Sequence, residues 1–147
     1  MAELLVRLQQ DLNAARKSQD RSRTVLLGTV ISELKNRKIE LRRELEEQEI
    51  QEVLSKGIKR RRESIEMFEK GAREDLVAKE RSEIGVIEAY LPEQATDDEI
   101  RAAVRGVIST GSGNLGAVMG AVRPRFAGRA DGSRINAIAR EELAGRG

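Results

Sequence analysis

Apolar residues recur every three or four positions along nearly the whole 147-residue chain, and only Pro92 and Pro124 can interrupt them by lacking an amide hydrogen. That spacing marks helices with one buried stripe and does not match the two-residue alternation of a half-buried strand. Leu5, Leu8, Leu12 and Ala15 predict a first helix over residues 2–17, and "SQDRS" then breaks the pattern and offers caps. Leu27, Val30, Ile31, Leu34 and Leu41 predict a second over about 21–43. The third starts near Glu47 and carries Ile50, Leu54, Ile58, Ile65 and Phe68, with Gly71 suited to a left-handed C-cap. The fourth runs from about Glu74 to Tyr90, carries Leu76, Ile84, Ile87 and Leu91, and stops at Pro92.

The third and fourth helices should form an antiparallel hairpin about Gly71, pairing positions whose numbers sum to roughly 143. Arg61 and Glu80 fill gaps in the two apolar stripes, and the register sets Arg61 opposite Glu80 and Glu83. An interhelical ion pair is expected there, because a half-buried charge left alone costs several kcal/mol.

"YLPEQATDDEI" reads as a linker that ends in a T-x-x-E capping box at Thr96 and Glu99. Three short helices follow. One uses Ile100, Ala103, Val104, Val107 and Ile108; the next, capped by Asn114, uses Leu115, Val118, Met119 and Val122; the last, capped by Asp131, uses Ile135, Ile138, Ala139 and Leu143. The expected fold class is all-α: N-terminal antiparallel helices including a long hairpin over residues 1–93, then a three-helix tail over 94–147.

The chain contains no Cys and no His. Disulfides, thiol nucleophiles, imidazole bases and the usual zinc and haem ligands are therefore excluded. No cofactor, no metal and no catalytic residue is expected. The longest mostly apolar run, "VLLGTVI", is too short to cross a bilayer, and the opening "MAELLVRLQQDLNAARK" does not have the pattern of a signal peptide. The expectation is a cytoplasmic chain without a membrane partner.

The net charge of +2 conceals an uneven distribution. All seven lysines lie before residue 94, and within 105–140 six arginines face Asp131 alone. Arg grips phosphate with a planar fork. In "MGAVRPRFAGRADGSRI", Pro124 breaks the helix, Gly128 and Gly132 permit turns, and Arg123, Arg125, Arg129 and Arg134 surround the start of the last helix. A helix N-terminus is a weak anion site. Gly116 and Gly120 form G-x-x-x-G on the middle tail helix, where glycine costs about 0.5–1 kcal/mol relative to Ala. Either a neighbouring helix or a nucleic-acid backbone must come close to offset that. Runs at Lys35–Arg43 and Lys56–Arg62 are expected to be solvated faces.

The stretches "KRRRESIEMFEKGAREDLVAKERSEIGVIEAYLP" and "NLGAVMGAVRPRFAGRADGSRINAIAREEL" resemble the GatB/YqeY family, as does the capped "TDDEI" helix between them, and the whole chain is similar to a free-standing YqeY-like protein. The specific parts are Arg73, Asp75, Leu76, Glu80, Glu83 and Tyr90-Leu91-Pro92, and in the tail Gly116, Val118, Met119, Gly120 and Gly128 to Gly132. The resemblance implies a relation to the tail of the B subunit of the glutamine-dependent Asp/Glu-tRNA amidotransferase, where that tail contacts the tRNA elbow. It implies tRNA or another structured RNA as partner, and a family label of carbon–nitrogen ligase activity with glutamine as amido donor. Catalysis in that enzyme belongs to domains this chain lacks. The family usually places Lys after the first tail glycine; here Ala117 stands, and Arg123 and Arg125 are the expected compensation.

The reading that follows is a non-catalytic RNA-binding module using Arg123, Arg125, Arg129, Arg134, Gly116 and Gly120. With few aromatics to stack on splayed bases, folded RNA suits it better than single strands. Four phosphate contacts predict a log–log salt slope of roughly −3 to −4. The alternative is a protein adaptor that docks on a tRNA-modifying or aminoacylating enzyme through apolar tail positions such as Val118 and Met119.

Overall fold

The computed structural model describes residues 2–146 and holds seven α-helices and no strand among them. It divides into two units, Met1–Tyr90 and Leu91–Gly147, each described here by itself.

The first unit has four helices: α1 (Glu3–Lys17), α2 (Arg21–Leu41), α3 (Glu47–Lys70) and α4 (Glu74–Glu88). α1 packs along α2, α3 along α4, and both α1 and α2 touch α3. The core is aliphatic. Leu8, Leu27, Leu34, Ile50, Leu54, Val77 and Ile87 are almost wholly shielded from water. The α1 stripe runs through Leu4 rather than Leu5, and Val77 rather than Leu76 is the buried residue at the start of α4. Both corrections follow from adjacent apolar pairs, among which periodicity alone does not choose.

One helix end deviates from the sequence expectation, and a second shares its geometry. Gly71 has φ −88° and is not left-handed; Ala72 is, at φ 54°. The amides of Arg73 and Ala72 bond back to the carbonyls of Phe68 and Glu69, which is a Schellman closure with Ala72 in the left-handed place. The α1–α2 turn repeats it with Gln19 at φ 60°, its amide and that of Asp20 bonding to Arg16 and Ala15. The hydrogen-bond pattern therefore fixes the left-handed site one residue beyond the glycine.

The expected ion pair is present: Arg61 Nε donates to Glu83 Oε2 at 3.0 Å, with the Arg side chain 13% exposed. Glu80 makes no ion pair among the described residues. Arg61 Nη1 also donates to the carbonyl of Gly57 at 3.0 Å. A Cβ on Gly57 would stand 3.1 Å from that nitrogen. The glycine inside α3 is thus the space into which the guanidinium folds. Beyond α2, Arg43 grips both oxygens of Glu49 at 2.7 and 2.8 Å and, with the Glu46 amide, holds that carboxyl down at about 2.

Tyr90 closes the first unit. Its ring is buried, its hydroxyl donates to Asp11 of α1, and Arg7 stacks over its face at 5.1 Å. Burial, then the neighbouring Asp11 carboxylate, push the phenol up to about 12.

Two outcomes follow. Ala72→Gly should stabilise the unit by about 0.5–1 kcal/mol by relieving the left-handed Cβ, read from urea midpoints at unchanged m. Because the Tyr90 phenol loses its proton later in the folded than in the unfolded chain, its contribution is intact below pH 10 and disappears as pH rises toward 12. The loss is at most about 3 kcal/mol, and Tyr90→Phe should flatten that alkaline limb in stability measured against pH.

Candidate functional site

The second unit consists of α5 (Asp97–Ser109), α6 (Leu115–Val122), a 3-10 turn over Arg123–Phe126, and α7 (Gly132–Arg146). Ile100, Val104, Val118, Val122, Phe126, Ile135 and Ala139 interlock as its core, with Met119 packed against them. The caps read from sequence hold. Thr96 Oγ1 accepts from Glu99 N at 3.1 Å, Asn114 Oδ1 from Ala117 N at 2.8 Å, and Asp131 Oδ1 from Arg134 N at 3.1 Å.

The four arginines of the joint divide into two pairs with different surroundings. Arg129 donates through Nε to the Glu93 carbonyl and through Nη2 to Glu99, at 2.9 and 2.8 Å, and lies over the Phe126 ring. Its own carbonyl accepts from Ala95 N at 2.9 Å. Arg134 donates through Nε to Asp97 at 2.7 Å and through Nη2 to the Ala95 carbonyl. These two side chains sew the entry of α5 to the segment that starts α7. The Arg129 guanidinium, aided by the Thr96 amide, holds the Glu99 carboxyl below its ordinary range.

Arg123 and Arg125 are exposed, and their side chains make no hydrogen bond or ion pair among the described residues. The α-helix ends at Val122, just before Pro124 as expected, and the proline sits within the 3-10 turn, which needs no amide hydrogen at that place. Arg123 lies over the first residue of α7: a Cβ on Gly132 would be 3.3 Å from its Nε. Gly132 therefore serves close approach, while Gly128 takes the left-handed turn at φ 74°.

Gly116 and Gly120 are exposed on α6. A Cβ on Gly120 would meet nothing within 4 Å, and one on Gly116 would meet only the Asn114 side chain at 3.5 Å. No neighbouring helix within the tail uses the space these glycines leave, which removes the packing explanation for them. Ala117 and Ala121 are exposed as well, so this side of α6 is almost bare backbone. At helical spacing Gly116, Gly120 and Arg123 fall on one stripe.

Other charged regions offer less. Arg60 pairs with Glu33, Arg62 with Glu88, Arg37 with Glu40 and Lys38 with Glu44. A groove of about 340 Å³ between α2 and α3 brings four glutamates against Arg37, Lys56 and Arg60, a balance that does not favour an anion. In the tail, Arg101 and Arg105 both bind Glu142, at 3.0 and 2.8 Å. Sequence reasoning missed the partners of Arg129 and Arg134. The signal was available in the acidic first turn of α5, which lies outside the window over which the arginines were counted.

A sequence description of the family termed Yqey-like protein matches residues 5–143. The chain belongs to the YqeY family. Relatives of this YqeY chain include proteins named "Altered inheritance of mitochondria protein 41, mitochondrial". The one from Pyrenophora tritici-repentis is 29% identical over 97% of this chain and 81% of its own length. That from Kluyveromyces lactis is 37% identical over 69% of this chain and 57% of its own, and that from Eremothecium gossypii 34% over 60% and 49%. The YqeY chain thus spans about half the length of the latter two relatives in these matches. Their names place those proteins in mitochondria, in contrast to the cytoplasmic expectation drawn from this sequence. No helix among the described residues is long and apolar enough to cross a membrane.

If Arg129 is a structural clasp, Arg129→Ala should cost the tail about 1–2 kcal/mol, whereas the unpartnered Arg125→Ala should stay within about 0.5 kcal/mol. Urea unfolding followed by far-UV circular dichroism separates the two.

Proposed function

We propose that this YqeY chain is a non-catalytic binding module for structured RNA, tRNA foremost, and that α6 with the turn after it is the contact surface. One observation carries the reading: two helical glycines face open space on the stripe that leads to a pair of arginines without internal partners. A glycine face admits a bulky backbone to within van der Waals distance of the helix. Exposed guanidiniums at its end supply phosphate contacts that position a ligand without reading its bases. Gly116 and Gly120 provide the approach, Arg123 and Arg125 the charge. Ala117, where relatives usually carry Lys, stands on the same bare surface, so its replacement removes a cation without disturbing the fold.

The adaptor reading has less support: of the apolar positions it names, Val118 is completely buried and Met119 is partly buried against the tail core. Nor do we assign carbon–nitrogen ligase chemistry to the chain. The lack of cysteine suits a reducing compartment, and the cytoplasm is the location we propose.

Two free arginines change the electrolyte dependence. The log–log salt slope for tRNA should be about −2 rather than the steeper value that four contacts give. Arg123→Glu with Arg125→Glu should reduce tRNA affinity at least about tenfold at low salt and flatten the slope. Gly120→Ala should stabilise the tail by about 0.5–1 kcal/mol and yet weaken tRNA binding, because the added methyl occupies the approach. Anisotropy titrations with transcribed tRNA at several salt concentrations decide it. A salt-independent signal that none of these substitutions moves would reject the proposal.

A further inference from the structure

Arg129 and Arg134 share an arrangement. Each guanidinium has one nitrogen on a main-chain carbonyl, Glu93 O or Ala95 O, and another on a carboxylate of the first turn of α5, Glu99 or Asp97. The carbonyls fix where the forks lie whatever becomes of the carboxylates. The ion pairs themselves are open to water: side-chain exposure is 46% at Glu99 and 64% at Asp97, against 32% and 28% at the arginines. Pairs this exposed are weak and are further screened by salt. A phosphate oxygen accepts the same hydrogens in the same geometry as a carboxylate oxygen.

We propose that Asp97 and Glu99 are built-in competitors for phosphate, occupying two guanidiniums that main-chain anchors already hold in place for a polyanion. This deepens the reading of the tail as an RNA-binding surface and rests on it. An RNA first engages Arg123 and Arg125. It gains Arg129 and Arg134 only where its phosphates displace both carboxylates. The acidic turn thereby sets a threshold: a ligand with dense, correctly spaced phosphates passes it, and a lone anion does not. It also explains why arginine stands at both positions. Lysine, a point charge, does not bond a carbonyl and an anion through a rigid fork.

The test uses the full chain and transcribed tRNA. Asp97→Asn with Glu99→Gln removes the competing charges with little change of shape, and glutamine at the third helical position still completes a capping box. The double variant should bind tRNA about tenfold more tightly at low salt, with a slope steeper by about 1 to 2. Adding Arg129→Gln and Arg134→Gln to that variant should erase the gain. Asp98→Asn with Glu141→Gln is the charge-matched control: both carboxylates touch Arg101, not the two forks, and the variant should tighten binding about twofold at most. If the double variant melts early, Glu99→Gln alone carries the test with about half the change in slope. A gain no larger than the control's, or one that survives loss of Arg129 and Arg134, overturns the inference. Wild-type binding that depends on Arg123 and Arg125 leaves the earlier reading standing in that case. Wild-type tRNA binding that ignores those two residues sinks the earlier reading instead.

Discussion

A chain in which 35% of residues are charged, and in which none of the described charged side chains is buried, must settle its ions along the seams between helices. The interior is left to branched aliphatics, which give cohesion but little direction. Direction comes from the seams. Arg61 to Glu83 sets the stagger of α3 against α4, Arg101 and Arg105 to Glu142 tie α5 to α7, and Tyr90 to Asp11 brings the end of α4 onto α1. The Arg61 seam has its accommodation at Gly57: a helix interior gives up a side chain so that a guanidinium can reach its backbone carbonyl.

The same logic organises the tail. Four of its arginines, Arg101, Arg105, Arg129 and Arg134, answer to carboxylates or carbonyls of their own unit, and the basic balance of the segment overstates its free positive charge. The tail's own contacts leave unused, among the described residues, the side chains of Arg123 and Arg125 and the space beside the glycines of α6.

Much of this was legible in the sequence. Helix order, the capping residues Thr96, Asn114 and Asp131 and the Arg61–Glu83 pair all rest on short-range periodicity and on one hairpin register. What was not legible depends on choices periodicity cannot make. Leu4 against Leu5 and Leu76 against Val77 differ by one position on a helix, and rotation about the axis is decided by packing. The left-handed residue at the α3–α4 turn is decided by which amides close back on the last carbonyls, and that put Ala72 where Gly71 appeared suited. The partners of Arg129 and Arg134 lie thirty or more residues away in sequence, beyond any local pattern. Of the four arginines read from the sequence, the side chains of Arg129 and Arg134 have partners within their own unit, and those of Arg123 and Arg125 have none among the described residues.

The chain's single tyrosine lies at the end of the first unit, against a carboxylate and beneath a guanidinium, and the chain has no tryptophan. The ring buried in the core of the second unit is Phe126. Intrinsic emission and near-ultraviolet signals accordingly follow one half of the molecule and are almost blind to the other. A melt recorded that way would look like a single event even if the second unit had already come apart.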